Sequence, residues 1–157
     1  MSHTSDRPVD WETLVTENEN RLYRAALAIL GDPQEAEDAV QDAFLAFLEK
    51  APDGLEHPGA WLMRVAVNSC RSRLRRAWRR ELPLPDTLPA PGPEERQELE
   101  ELFALPPEDR AVIHLHYYEG YSTQEIAQLL HCRPGTVRSR LSRARERLRR
   151  LLGGDFQ

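Results

Sequence analysis

A chain of 157 residues with 40% hydrophobic and 30% charged side chains can form one small domain or two. No apolar run approaches the roughly 18 residues that a membrane span needs, and no secretory signal opens the chain, so we expect a soluble, cytoplasmic protein. The two cysteines, Cys70 and Cys132, form no CxxC pair, which argues against a disulfide framework or a zinc knuckle.

The formal net charge of -5 conceals two basic blocks. Residues 61–80 carry seven basic and no acidic side chains, and residues 121–157 carry eight basic and three acidic ones, whereas the rest of the chain is acidic. Twenty of the 21 basic residues are arginine, whose planar guanidinium suits phosphate groups and guanine edges, although a GC-rich genome would also favour arginine. Two such blocks are typical of a protein that contacts phosphate backbones at two places.

The N-terminal half predicts three helices in succession. The first runs from Trp11 to Leu30 and ends at Gly31, after which Asp32-Pro33 supplies an N-cap and a first-turn proline for a second helix reaching about Lys50. The second helix has one apolar stripe and, on the opposite side, an acidic face of Glu35, Asp38, Asp42 and Glu49, together with an exposed Leu45. Pro58 begins a third helix, reaching Arg80, that changes from apolar to strongly basic along its length.

A polar ridge follows one side of the third helix. It consists of residues spaced i, i+4, i+7 and i+11, namely Arg64, Asn68, Arg71 and Arg75. These side chains offer hydrogen bonds and positive charge to nucleic acid. Taken alone, the ridge would equally suit a membrane surface or an acidic protein partner.

A proline-rich segment predicts a division into two domains. Residues 81–93 contain five prolines and no helical periodicity, which indicates an extended, semi-stiff linker between domains at 1–80 and 94–157. Each domain is short, and strand-like alternation is absent, so we predict an all-α protein built from two small helical bundles. The second bundle begins with an acidic helix over about 94–103, and Pro107 begins the next one.

The strongest local signal is a helix-turn-helix in the second domain. Residues 122–125, STQE, form a capping box that opens a short helix, and the turn HCRPG leads to a second helix with a regular apolar stripe. The exposed residues near the start of that helix are the candidates for base edges and adjacent phosphates: Thr136, Arg138, Ser139, Arg140 and Arg143. The alternative is an ordinary solvated arginine face.

The sequence offers no catalytic constellation. His114, His116 and His131 lack metal-ligand spacing, and the acidic residues of the second helix share one stripe that does not converge on an ion. We therefore expect no enzymatic activity, no metal and no cofactor, and we assign the histidines to packing and turns.

Taken together, these segments resemble a known family. EAEDAVQDAF at 35–44, WLMRVAVNSCRSRLRR at 61–76, the linker and YSTQEIAQLLHCRPGTVRSRLSRARERL at 121–148 are similar to the extracytoplasmic-function (ECF) group of the sigma-70 family, in order, spacing and two-domain layout. The resemblance implies a sigma factor that binds core RNA polymerase and directs promoter recognition, promoter melting and transcription initiation. It also implies an anti-sigma factor as a further partner.

The resemblance also implies roles for individual residues. Asp38, Gln41 and Asp42 match the face that docks on the polymerase's clamp helices, and the loop at 50–59 matches the segment that captures a flipped base. Promoter DNA nearest the start site would meet the ridge of the third helix, that is, Arg64, Asn68, Arg71 and Arg75. The helix-turn-helix would bind the distal promoter element as duplex.

Two other functions remain open at this point. An autonomous helix-turn-helix regulator would bind DNA without joining the polymerase. A metal-dependent nuclease or recombinase with a helix-turn-helix tail would require a converging catalytic set, which the sequence does not provide.

Overall fold

The computed structural model describes residues 10–80 and 104–152, and every structural statement below refers to these residues. Both the predicted linker at 81–93 and the predicted acidic helix at 94–103 lie outside them, so the domain boundaries stay predictions. Within 10–80 and 104–152 every regular element is helical, which confirms the predicted all-α class.

The described chain contains three α-helices before the gap and three after it. In chain order they are α1 (Trp11–Leu30), α2 (Pro33–Lys50), α3 (Pro58–Arg80), α4 (Pro107–Ile113), α5 (Thr123–Leu130) and α6 (Pro134–Leu152). A single π-helical turn, His114–Tyr118, extends α4. None of the helices in the described ranges is long and apolar enough to cross a membrane.

Local sequence signals fix several helix ends as predicted. Gly31 adopts a left-handed backbone with φ of 76° and closes α1 by donating its N–H to the Leu27 carbonyl. The Asp32 carboxylate then accepts the Glu35 N–H at 3.0 Å and so caps α2. These two caps place α2 back against α1 after a very short connection.

The first three helices bury a common apolar core. Its largest fully buried members include Leu22, Ile29, Leu62 and Met63. At the edge of this core, the half-buried Trp61 meets the Phe47 ring edge-on at a centroid distance of 5.5 Å.

Cys70 is completely buried on α3. Its burial raises the pKa of the Cys70 thiol to about 12, so the group is a neutral thiol that packs like a small apolar side chain.

The two halves of the described chain also pack against each other. Helix α4 lies on α1 and α5 lies on α3, and the apolar core continues from one half into the other through Leu105, Val112 and Ile113. Such a continuous core does not follow from the proline-rich linker, which predicts separable domains. The contacts between the halves determine which charged side chains are available at the surface.

Candidate nucleic-acid interface

Helices α5 and α6 form the predicted helix-turn-helix. Ser122 Oγ accepts the Glu125 N–H at 3.1 Å, and the Glu125 carboxylate accepts the Ser122 N–H at 2.8 Å, which completes the capping box. His131 ends α5 in a left-handed conformation with φ of 55°, and Pro134 begins α6. The predicted apolar stripe of α6 is buried, at Val137, Leu141, Ala144 and Leu148.

Burial of that stripe leaves the polar side of α6 facing outward. Arg138, Ser139 and Arg143 are exposed, as the sequence predicts, whereas Thr136 and Arg140 are half-buried. Arg140 Nη1 donates to Glu108 Oε2 at 3.2 Å, so one of the five predicted DNA-binding residues is already bound to a carboxylate. The exposed Arg138 and Arg143, in the second and third turns of α6, remain accessible to a major groove.

A groove of about 640 Å³ separates the start of α4 from α6. Asp109 lies in it, and burial raises the pKa of this carboxyl, while the positive charges of Arg143, Arg140 and Arg147 oppose that rise. No role for Asp109 or Glu108 follows from the sequence alone. Both residues lie in the first turn of α4, where a carboxylate is favoured because it interacts with the positive end of the helix dipole.

The predicted ridge on α3 is only partly open to solvent. Arg64 and Arg75 are exposed, and Asn68 and Arg71 are half-buried. Arg71 Nε lies 3.5 Å from Glu108 Oε1, which is an ion pair without hydrogen-bond geometry. The structure therefore brings the two predicted DNA-binding sets together at one point, with Glu108 between Arg71 and Arg140.

The acidic face of α2 carries an ion-pair network that the sequence analysis did not predict. Arg73 of α3 binds Asp42 at 2.6 Å and Glu35 at 2.8 Å, and lies 4.0 Å from Asp38. Burial lowers the pKa of Arg73, but the hydrogen bonds and charges of Asp42 and Glu35 outweigh this and raise it. Of the three predicted polymerase-docking residues, Asp42 therefore pairs with Arg73 and Asp38 lies close to it, whereas Gln41 is exposed.

An exposed apolar patch lies next to Gln41. Leu45 and Leu48 are 57% and 64% exposed, and together with Trp11 they border a shallow groove of about 270 Å³. Large apolar side chains clustered at a surface mark protein–protein contacts more often than isolated ones do. An exposed Leu45 was predicted from the sequence, whereas the exposure of Leu48 and Trp11 was not. The spacing of Gln41, Leu45 and Leu48 along one helical stripe was the available signal.

His114 and His116 make contacts within the second half, and His131 lies in the turn between α5 and α6. His114 stacks on Tyr118 at a centroid distance of 5.2 Å and lies 3.4 Å from Glu119, and His116 Nδ1 lies 3.0 Å from the Tyr121 carbonyl oxygen. No cluster of three His, Cys, Asp or Glu residues that could hold a metal ion occurs within 10–80 and 104–152.

Two family models match the chain in the order of its two halves. Sigma-70 region 2 matches residues 14–80, and Sigma-70 region 4 matches residues 96–148. The ECF RNA polymerase sigma factor SigM of Mycobacterium tuberculosis is 34% identical over 161 residues, covering 97% of this chain and 82% of SigM. The ECF RNA polymerase sigma factor SigL of the same organism is 35% identical over 142 residues, covering 82% of this chain and 80% of SigL.

Two solved structures also have a fold similar to that of this chain. The chain superposes with a TM-score of 0.77 and 26% identity on a chain from the co-crystal structure of the sigma factor RpoE with the anti-sigma factor NepR from Bartonella quintana, covering 93% of this chain and 98% of that one. It superposes with a TM-score of 0.64 and 30% identity on a chain from the structure of CnrH with the cytosolic domain of CnrY, covering 92% and 88%.

Proposed function

Because this chain belongs to the ECF group of the sigma-70 family, we propose that it binds core RNA polymerase and directs it to a specific set of promoters. The chain itself supplies binding surfaces rather than catalysis, and it acts in the cytoplasm with the polymerase. One observation carries this proposal: an exposed helix-turn-helix, a second basic helix and an apolar docking patch occur together in a single small fold.

Docking on the polymerase uses the outward side of α2. Gln41 and the half-exposed Asp42 supply hydrogen bonds, and the adjacent Leu45 and Leu48 supply apolar area that becomes buried on binding. An amphipathic surface of this kind suits a helical partner, because helix pairs meet through apolar anchors with a polar rim. Asp38, whose side chain is 41% exposed and lies 4.0 Å from Arg73, adds a further carboxylate to this surface.

Binding of the distal promoter element uses α6. Arg138, Ser139 and Arg143 project from the exposed side of its first turns, and bidentate arginine contacts to guanine discriminate strongly between base pairs. Thr136 and the N-terminal end of α6 contact phosphate, and Arg140 joins them once it leaves Glu108.

Contact with the near promoter element uses the ridge on α3 and the preceding loop at 50–59. Arg64 and Arg75 attract the phosphate backbone, and Asn68 hydrogen-bonds an extruded base. Arg71 adds a further positive charge when its contact with Glu108 is released. Two weak DNA contacts held on one polymerase strengthen each other through a high effective concentration.

We also propose an anti-sigma factor as a regulatory partner. Structural relatives of this chain were solved in complex with the anti-sigma factor NepR and with the cytosolic domain of CnrY. For this chain, the exposed patch around Leu45 and Leu48 offers an apolar surface for which polymerase and an inhibitor would compete.

Run-off transcription tests the proposal directly. Purified protein is added to bacterial core polymerase with a pool of genomic promoter fragments, and we expect start-site-specific transcripts only when the protein is present. If the protein shifts duplex DNA, fails to co-elute with core polymerase and yields no such transcripts, the autonomous-regulator alternative replaces this one.

A further inference from the structure

Two tyrosines lie at the surface on the π-helical turn that precedes the helix-turn-helix. Tyr117 is 42% exposed and Tyr118 is 78% exposed. The turn is wider than an α-helical one, because the Glu119 N–H donates to the His114 carbonyl, five residues back, at 3.2 Å. Single π-helical turns are rare and occur frequently at functional sites. The proposed function uses neither tyrosine.

Tyr117 contacts the last helix of the helix-turn-helix through Arg145. Arg145 Nη1 donates a hydrogen bond to the Tyr117 hydroxyl at 2.8 Å. The ring of His116 packs edge-on against Tyr117 at a centroid distance of 4.9 Å, and His116 Nδ1 lies 3.0 Å from the Tyr121 carbonyl oxygen. A chain of contacts therefore runs from the backbone before α5, through two rings, to one guanidinium on α6.

The positive charge of Arg145 is available to a ligand. In the part of the chain that the structure describes, no carboxylate lies within ion-pair distance of Arg145, whereas Arg140 and Arg149 on the same helix each bind one. A guanidinium has five N–H groups, of which the bond to Tyr117 uses one. Arg145 is only half-buried, so part of its side chain is open to solvent.

The position of Arg145 along α6 suits a contact with a phosphate group. It lies seven residues after Arg138, which is close to two helical turns and about 10 Å along the same side of the helix. In a helix-turn-helix the first residues of the second helix contact base edges. Later residues on the same side then lie closer to the backbone that borders the groove. Arginine donors match phosphate oxygens in charge and geometry.

We propose that Arg145 contacts a phosphate group of the distal promoter element and that Tyr117 is the residue that positions it. The inference rests on the proposed function, since it takes α6 as the helix that binds this element. An arginine side chain loses conformational entropy when a ligand fixes it. The hydrogen bond to Tyr117 restricts Arg145 before DNA binds, so less of this entropy is lost on binding. Because phosphate contacts carry no sequence information, the pair strengthens binding to any duplex.

A double-mutant cycle tests this pairing. The full chain is assembled with core polymerase, and fluorescence anisotropy measures its affinity for a duplex that carries the distal element and ends before the near element. Arg145→Met should weaken binding about tenfold at low salt and reduce the slope of log affinity against log salt by about 1. Tyr117→Phe should weaken binding about threefold, because the arginine keeps its charge but loses its position. In the Arg145→Met background, Tyr117→Phe should have no further effect.

Two neighbouring substitutions are the matched controls. Tyr118→Phe removes the hydroxyl of the adjacent tyrosine and keeps the ring that stacks on His114, so DNA affinity should not change. Arg149→Met removes the same charge one turn further along α6, where the arginine pairs with Glu146 at 3.0 Å, and it should weaken binding less than Arg145→Met does. If circular dichroism shows that Arg145→Met loses its helices, Arg145→Ala replaces it, because alanine has the highest helix propensity.

The cycle separates a positioning role from a structural one. A loss of affinity in Tyr117→Phe that occurs only when Arg145 is present supports the inference. An equal loss in both backgrounds would mean that Tyr117 acts through the fold, and it would overturn the inference. Unchanged DNA affinity in Arg145→Met, with reduced polymerase co-elution, would make this surface a protein contact instead. Failure of the proposed function appears separately, as absence of polymerase-dependent transcripts with the unaltered protein.

Discussion

The two basic helices, α3 and α6, use arginine in different ways. On α6, Arg138 and Arg143 project from the exposed side of a helix whose opposite side is buried. On α3, Arg73 is bound to two carboxylates of α2 and thereby cross-links α2 and α3. The comparison shows that a basic helix is not uniformly a DNA-binding surface, because the neighbouring helix determines which charges are engaged in tertiary contacts.

Replacing the apolar patch should give the largest effect. Leu45→Asp plus Leu48→Asp puts two charges where α2 is proposed to bury apolar area, so affinity for core polymerase should fall at least about 100-fold. Size-exclusion co-elution and titration of labelled protein measure it. Glu49→Gln, a neighbouring exposed position, is the control and should bind normally. Unchanged polymerase binding in the double variant would move the docking surface away from α2.

Removing the exposed arginines of α6 should have the next largest effect. Arg138→Ala plus Arg143→Ala deletes two proposed base or phosphate contacts, each worth about 1–3 kcal/mol, so promoter-specific transcription should fall at least about tenfold. Polymerase co-elution should stay normal. Arg149→Ala provides the control on the same helix, because Arg149 lies further along it and pairs with Glu146. Loss of co-elution together with transcription would contradict the separation of DNA and polymerase surfaces.

Replacing the cross-linking arginine on α3 should affect stability instead. Arg73→Met leaves Glu35 and Asp42 without their arginine partner, and the free energy of unfolding should fall by about 1 kcal/mol because the carboxylates stay largely hydrated. Urea denaturation measures the change. Arg75→Met, at an exposed position two residues along, should leave it nearly unaltered. Equal losses in both variants would mean that the ion pairs of Arg73 contribute nothing measurable.

The contrast between α3 and α6 also shows which structural features the sequence could predict. Helix ends at Gly31, Asp32 and Ser122 follow from signals within a few residues, and the buried stripe of α6 follows from its period. The roles of individual residues stay predictions. The DNA-binding candidates on α6 follow from the helix-turn-helix pattern, whereas the polymerase-docking residues on α2 follow from family resemblance.

Contacts between distant residues could not be predicted in this way. Arg73 is separated from Glu35 by 38 positions and Arg110 from Ala28 by 82, and no local rule connects such pairs. A single sequence shows that Arg71 and Arg140 lie on basic faces, but only the packing of α3, α4 and α6 shows that both approach Glu108.

The smallest expected effect concerns pH and the buried His114. Burial lowers the pKa of His114 below its usual value of 6.5, although the nearby Glu119 opposes that change. The unfolded chain therefore binds this proton more readily, and stability should fall as pH drops below about 6.5, with a slope of at most about 1.4 kcal/mol per pH unit from this one group. His114→Phe, which can keep the stacking with Tyr118, should remove that part of the slope between pH 7 and 5.5. Urea unfolding at several pH values measures it, and His131→Asn serves as the control because asparagine tolerates the left-handed backbone of this exposed position. Identical slopes in His114→Phe and the unaltered chain would show that His114 is not the group whose protonation destabilises the fold.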